Sequence, residues 1–350
     1  MSAVRALTPG DVPAVAELLI RSGAGADAES LEARLRHAFV EHPWPHADIR
    51  SLIAEDAAGK LQAFLGVIPR PMTYAKRELR AAVATTLTIH PECREFVGMR
   101  LLKHLIAGPQ DLSLMPSARC AVRSVWERLG GSAAVAYGVS WLRPLRPAAW
   151  AFGRVRSRLG PFAALGDPLA RVADAALQRI APGAFRLPRA ANARDVSDDE
   201  LVRWIDDVAG SRLHARYDTA ALSWVLARAR ERAGAPVSRI VVDGTQKGTR
   251  GWCVLATPPG GVAQVLQMAV RGDAGDDVAR AAFRRAYEAG CVAITGRVDP
   301  AFLIDLSDRG ALMHATGTHV LVHAKDETLM RQVERGDALL GRLDGEWLTG

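Results

Sequence analysis

The stretch Ala82–Leu105, AVATTLTIHPECREFVGMRLLKHL, constrains this chain more than any other. Val83 and Thr85 to Ile89 form a β-branched and apolar run without glycine or proline, the pattern of a strand. His90-Pro91 breaks the run, because proline has no amide to give to a ladder and drives the residue before it out of the helical region. From Gly98 the period changes. Met99, Leu102, Leu105 and Ile106 fall on one helical face, with Arg100, Lys103 and His104 off it. The stretch therefore reads as strand, tight loop, helix. The first amides of such a helix lack internal partners and carry partial positive charge, so they can receive a phosphate. The same pattern also serves an ordinary strand–loop–helix that only packs a core.

This pattern resembles the acyl-CoA-binding core of the GNAT acyltransferases. In that family a strand ends in an apolar-His-Pro-like turn, and a loop of the form Arg/Gln-x-x-Gly-x-Gly/Ala leads into a helix with paired leucines. Ile89-His90-Pro91-Glu92-Cys93-Arg94 matches the left flank and Gly98-Met99-Arg100-Leu101-Leu102 the right. The loop Arg94–Gly98 is one residue shorter than the usual form and keeps only the last glycine, with Phe96 near the place of an earlier one. The resemblance implies acetyl-CoA or another acyl-CoA as co-substrate. Its contacts would be Leu87, Thr88, Ile89, Arg94, Glu95, Phe96, Val97, Gly98 and Met99.

Acyl transfer from a thioester to an amine needs no covalent nucleophile. It needs a base for the amine, an amide to hold the developing oxyanion, and alignment of the two substrates. Backbone amides around Leu87–Ile89 could supply the oxyanion contact. His90, at the strand end, is the nearest titratable group and the catalytic candidate, with Glu55 and Glu92 behind it; its other reading is a turn residue before proline. The family often carries a Tyr four residues before the glycine that ends the next helix, where it can protonate the departing thiolate. Here Trp126 stands there, in Trp126-Glu127-Arg128-Leu129-Gly130, and an indole has no acidic hydroxyl, so Trp126 reads as a packing residue.

The flanking chain extends the resemblance over about residues 1–147. Val4–Leu7 reads as a strand, and Thr8 and Asp11 are placed as a capping box ahead of the apolar face Val12, Val15, Leu18, Leu19. A second helix over Ser30–Val40 follows, then strands at Ser51–Ala54 and Leu61–Val67, and a turn region over Tyr74–Arg80. After the central helix come a strand at Asp111–Met115, a helix at Ala118–Leu129 closed by Gly130-Gly131, and a final strand at Ala133–Leu142. The order β-α-α-β-β-β-α-β-α-β is that of the GNAT fold.

At 350 residues the chain is long enough for two domains. From about Ser197 the element order begins again, with strands at Ile240–Val242, Trp252–Leu255, Val262–Val270, Val292–Thr295 and His319–His323 and helices at Asp277–Ala289 and Pro300–Asp308. The expected architecture is α/β (α+β): a GNAT-like mixed central sheet flanked by helices, with two such domains in tandem. Residues 1–147 would form the acyl-CoA-binding domain, 148–195 a basic helical connector, and 196–350 a degenerate second domain. In that second half the loop Arg271–Asp277 falls where a pyrophosphate loop would be, and its three aspartates would repel a diphosphate. The second half is therefore expected not to bind CoA.

The net charge of +7 comes mostly from arginines scattered through Ala-rich helices, without zinc-finger spacing, RNP-like aromatics or a lysine run, so nucleic acid is not an expected partner. Pro144–Leu165 carries Arg146, Arg154, Arg156 and Arg158 and no acid. Its arginines recur too often to leave a wide apolar face, so a connector is expected rather than membrane contact. Cys93, Cys120, Cys253 and Cys291 form neither a metal knuckle nor a disulfide framework, and the N-terminus lacks an apolar signal core. These features suit a cytoplasmic protein. Neither His37, His42 and His46 nor His314, His319 and His323 have metal-site spacing, so no metal is expected. The expected activity is acyl transfer from acyl-CoA to an amine on a small molecule or other amine-bearing acceptor. The alternative is a catalytically silent GNAT-fold module that binds a ligand or partner. Oligomeric state is not encoded in any pattern found here.

Overall fold

The computed structural model describes residues 3–25, 27–93, 96–155, 163–180, 192–244 and 250–347. In chain order the first elements are β1 (Ala3–Ala6), α1 (Val12–Arg21), α2 (Ala28–Phe39), β2 (Leu52–Glu55), β3 (Leu61–Tyr74), β4 (Arg77–Ile89), α3 (Phe96–Ile106), β5 (Leu112–Ala118), α4 (Cys120–Arg128) and β6 (Ser132–Ala134). Then come β7 (Val139–Pro144), α5 (Pro147–Val155), α6 (Ala163–Ile180), β8 (Ala193–Asp195), α7 (Asp198–Ala209), β9 (His214–Ala215) and α8 (Thr219–Ala233). The remainder is β10 (Val237–Asp243), β11 (Arg250–Ala256), β12 (Val262–Arg271), α9 (Gly275–Glu288), β13 (Ala293–Arg297), α10 (Leu303–Asp308), β14 (Leu312–Ala315), β15 (His319–Ala324) and α11 (Glu327–Glu334).

These elements form two compact units, and neither is a continuous stretch of chain. One comprises Met1–Gly138, Gly210–Arg228 and Gly317–Gly350; the other comprises Val139–Ala209 and Ala229–Thr316. The sheet of the first runs β1-β2-β3-β4-β5-β15-β6, with β9 added to β3. Its strands pair antiparallel except β4 and β5, which are parallel over Ala81–Val83 and Leu112–Leu114. Val97, Leu101, Leu102 and Leu105 of α3 and Trp126 of α4 pack one face of this sheet, against Leu65, Val67, Ala82 and Ala84. On the other face Met72, Leu79, Ala81, Val83 and Leu114 are buried with Leu329 and Val333 of α11. The Thr8–Asp11 box holds α1: Asp11 Oδ2 accepts from the Thr8 amide at 2.7 Å and from its hydroxyl at 2.6 Å.

The sheet of the second unit runs β8-β10-β11-β12-β13-β7-β14, again with a single parallel pair, β12 and β13. Place for place this is the order of the first sheet. In each sheet the sixth strand is remote in sequence from the other members, β15 in the first and β7 in the second. Residues 133–142, read above as one strand, are thus two. Ser132–Ala134 belongs to the first sheet, Val139–Pro144 pairs with β13 and β14 in the second, and a short 3-10 turn at Val135–Gly138 separates them. The strand at His319–Ala324 likewise pairs with β5 and β6. Alternation of apolar residues specifies a strand and its buried face, but not which remote partner it pairs with.

The expected turn region 74–80 is also shorter than read. β3 and β4 form one long hairpin whose turn is Ala75-Lys76, both left-handed at φ 49° and 68°. Pro69 and Pro71 lie inside β3. Between residues 144 and 165 the chain forms α5 and the start of α6, where Asp174 accepts from the amides of Ala148 and Ala149 at 2.7 and 3.2 Å and so caps α5. Arg156, Arg158 and Pro161 lie outside the described residues. Among the described residues no helix is long and apolar enough to cross a membrane.

Candidate functional site

β4 and β5 start as parallel neighbours and then part. Their pairing ends at Val83, yet β4 continues to Ile89, held only by β3 on its other side. Burial records the same event. Ala81 to Ala84 are buried, and every residue from Thr85 to His90 is half-exposed. A wedge therefore opens between the two strands toward their C-terminal ends, lined by a strand edge with unpaired backbone amides and carbonyls. Just past the apex of the wedge the register of β4 on β3 shifts, so that Thr85 and Thr86 stand opposite Gly66 alone, the count of a β-bulge. The Thr85 hydroxyl is buried there without a hydrogen-bond partner.

The expected cofactor residues distribute along this wedge. Leu87, Thr88 and Ile89 lie on its free edge, paired on the other side with Leu65, Phe64 and Ala63. Arg94 and Glu95 lie outside the described residues. Phe96, Val97, Gly98 and Met99 form the first turn of α3. Phe96 is 68% exposed and Met99 36%, whereas Val97 and Gly98 are buried. A Cβ on Gly98 would lie 2.6 Å from Ile89 Cδ1. A side chain at 98 would therefore need only the tip of Ile89 to shift.

His90 ends the strand. Its amide donates to Gln62 O at 2.8 Å, its carbonyl accepts from the Cys93 amide at 2.9 Å, and Nε2 is buried without a partner. Trp126 is fully buried and its indole N–H donates to Val322 O at 2.9 Å, so it is a packing residue tied to β15.

On the opposite face of the same sheet lies a group the sequence reading did not find. Arg70, on β3 opposite Ala81, is 1% exposed. Its guanidinium carbon lies over the rings of Trp44, 4.0 Å away, and Tyr217, 4.7 Å away. Asp344 Oδ1 lies 3.5 Å from Arg70 Nη2, so the two form a buried ion pair. Asp344 is buried too, accepting from the Gly341 amide at 2.7 Å and the Tyr217 hydroxyl at 3.2 Å, and burial pushes its carboxyl up against the pull of Arg70. His42, beside Trp44, is held down to about 4 by burial and by the charge of Arg70. Above this cluster a cleft of about 510 Å³ is walled by Trp44, Pro69, Arg70, Met72, Leu79 and Ala81 among others.

The chain itself joins the cleft to the wedge. Next to Asp344, Gly345 abuts Val83 and Pro116, where a Cβ would come within 2.6 Å of each side chain. Val83 is the last β4 residue paired to β5, so the segment that holds Arg70 also seals the apex of the wedge. An arginine between two prolines in an apolar strand, Pro69-Arg70-Pro71, was the one available signal. Its partners Trp44, Tyr217 and Asp344 are far apart in sequence and could not have been collected without the fold.

In the second unit β12 and β13 also part, pairing only over Val262–Gln264 and Ala293–Thr295. There the start of α9 is occupied from within. The carboxylate of Asp305 lies directly against Gly275, the first residue of the helix. Asp276 is held by Arg309 at 2.5 and 2.8 Å, and Asp277 by Arg280. Burial and the neighbouring Asp276 and Asp308 push the Asp305 carboxyl up. Among the described residues no group of three His, Cys, Asp or Glu side chains is placed to hold a metal ion, and all four cysteines are free.

No protein family model and no curated protein sequence matches this chain. Solved structures do. A GCN5-related N-acetyltransferase from Kribbella flavida is similar with a TM-score of 0.58 at 14% identity, over 93% of this chain and 72% of that one. An Enterococcus faecalis V583 protein described as a probable N-acyltransferase is similar with a TM-score of 0.57 at 12% identity, over 95% and 74%. A GCN5-related N-acetyltransferase from Anabaena variabilis gives 0.56 at 9% identity, over 93% and 74%. The likeness spans both units, and the fold of this chain is the GNAT fold.

Proposed function

We propose that this protein is an N-acyltransferase that moves an acetyl or other acyl group from acyl-CoA to an amine, working in its first unit, while the second is a degenerate GNAT-like unit. The observation that carries this reading is the wedge. A parallel strand pair that separates after Val83 offers an extended ligand one free strand edge, Thr85–Ile89, with α3 starting at its far end. A pantetheine arm is a chain of amides and methylenes. It can pair with such an edge as an added strand does, while its diphosphate lies at the first turn of the helix. The orphaned Thr85 hydroxyl and the half-exposed edge suit a polar, extended ligand better than core packing.

The acyl-CoA supplies the thioester, and the residues of the chain orient and neutralise. Backbone amides of Leu87–Ile89 hold the carbonyl oxygen as negative charge develops on it. His90 is the base for the attacking amine; its Nδ1 accepts from the Glu92 amide at 3.4 Å, so that is the nitrogen with a lone pair, and it takes the proton on leaving that contact. Because Trp126 is buried and bonded to Val322 O, the departing thiolate takes its proton from solvent. That last feature also favours the second reading, a module that binds acyl-CoA or a partner without turnover.

Full-length protein incubated with acetyl-CoA and a panel of small amines, with release of the CoA thiol as readout, decides between the two. The expected result is acceptor-dependent release. His90→Gln is expected to lower the rate about 10²-fold or more. Acyl-CoA binding without release for any amine supports the silent module, and an unchanged rate in His90→Gln places the base elsewhere.

A further inference from the structure

We infer that Cys120 takes the acyl group from acyl-CoA as a thioester on the chain, with His319 as the base that frees its sulfur. This rests on the reading above that acyl-CoA occupies the wedge, and it adds a protein thiol to the groups that receive the acyl. Of the four cysteines Cys120 is the exposed one; Cys93 is half-buried, and Cys253 and Cys291 are buried. The Sγ of Cys120 lies 3.5 Å from His319 Nε2, a hydrogen-bond distance for sulfur. In the tautomer with its proton on Nδ1, the imidazole accepts from the thiol through Nε2. A thiol beside an imidazole is the arrangement that activates a sulfur nucleophile.

The sheet holds this pair in place. β5 ends at Ala118, Arg119 stands at the N-cap of α4, and Cys120 is the first residue of that helix. His319 opens β15 and pairs with Ala118, which sets its ring beside the start of α4. The first amides of the helix favour negative charge as it develops on the sulfur.

Position turns a reactive pair into an acyl acceptor. The wedge has two lips, and each runs into a helix on the same face of the sheet, β4 into α3 and β5 into α4. The last β4–β5 pair is Val83 with Leu114. Ile89 lies six residues beyond Val83 on one lip, and Cys120 lies six residues beyond Leu114 on the other. At about 3.3 Å per residue both are roughly 20 Å from the apex. Cys120 is therefore level with the end of Leu87–Ile89, the stretch proposed to hold the thioester carbonyl. Cys93 lies just past His90 on the β4 lip, but burial and the charges of Glu92 and Asp56 push its thiol up, which makes it the poorer nucleophile.

The step balances without a further reactant. Sγ attacks the carbonyl carbon of the acyl-CoA as Nε2 takes the thiol proton. The tetrahedral adduct collapses, the bond from that carbon to the CoA sulfur breaks, and the imidazolium gives its proton to the departing sulfur. The products are a thioester on Cys120 and free CoA. One thioester replaces another, so the acyl group stays able to react with an amine.

Full-length protein incubated with acetyl-CoA and no amine, with peptic digests compared by mass spectrometry at Cys120 and Cys93, tests this. The expected result is an acetyl group on Cys120 that neutral hydroxylamine removes. It should form faster than on Cys93, at a rate that saturates with acetyl-CoA as binding in the wedge requires. His319→Ala is expected to slow acetylation of Cys120 about 10²-fold, and imidazole in the buffer to restore part of the rate, which a merely structural histidine would not allow. Should that variant not fold, the comparison of the two cysteines in wild type still decides. An unacetylated Cys120, a rate that rises linearly with acetyl-CoA, or a rate unchanged in His319→Ala overturns the inference. Acceptor-dependent release of CoA with Cys120 left unacetylated would remove the inference and keep the acyl-transfer reading. Acetylated Cys120 with no transfer to any amine would keep the inference and remove transfer to amines.

Discussion

His42 illustrates how this chain uses a single residue to protect a buried charge. Its ring is buried beside Trp44, its Nδ1 accepts from the Trp44 amide at 3.2 Å, and Arg70 lies near enough to oppose a second positive charge. A histidine whose folded pKa falls from 6.5 to about 4 stays neutral in the folded state while the unfolded chain takes up a proton. Between those values the unfolded state binds more protons, so stability rises with pH and is lost as pH falls through the window. The contribution is on the order of 2–3 kcal/mol by pH 4. Denaturant unfolding at pH 7 and pH 4.5 is expected to show this loss in the wild type and a smaller one in His42→Gln. Equal losses in the two proteins would mean that His42 does not titrate as described. The sequence showed this histidine only as one of three in a proline-rich stretch. Its environment comes from Arg70 on β3, nearly thirty residues away, and no local pattern reports that.

Single elements explain both what was legible in the sequence and what was not. The strand–loop–helix at Ala82–Leu105 was readable because each part is specified locally: β-branched residues for the strand, a proline to end it, a change of period for the helix. The Thr8–Asp11 box and the hairpin of β10 and β11 were readable for the same reason. The sixth strand of each sheet was not. β7 and β15 have ordinary strand patterns, and their partners are set by how well each fills a slot formed by distant residues. Tyr137 shows one such tie, its hydroxyl donating to Ala338 O at 2.5 Å across the first unit. The arrangement predicts how fragments behave. A chain ending at residue 147 lacks β15, α11 and the Asp344 segment, which together bury Val83, Leu114, Trp126 and Arg70. It is expected to be protease-sensitive and without a cooperative thermal transition, although it contains the whole expected acyl-CoA loop. Resistance to proteolysis equal to that of the full chain would show that β15 is dispensable.

Across the whole molecule one strand order occurs twice, and the two copies differ at the place where each parallel pair opens. In the first unit the helix that follows the wedge begins with an exposed Phe96 and the buried Gly98, and an unsatisfied Thr85 hydroxyl lies near the apex. In the second unit the corresponding helix begins against the Asp305 carboxylate, within a cluster of aspartates held by arginines. An anion supplied by the chain itself stands where a diphosphate would need to lie, and like charges in that space repel. On the proposed reading acyl-CoA binds the first unit and not the second. Amide hydrogen exchange of the full-length protein with and without saturating acetyl-CoA tests this most directly, because it locates a ligand along the chain without disturbing either unit. The account predicts slowed exchange over Thr85–His90 and the first turn of α3, with no change over Val265–Gly275. Protection confined to Val265–Gly275, or none at Thr85–His90 under saturation, would contradict it.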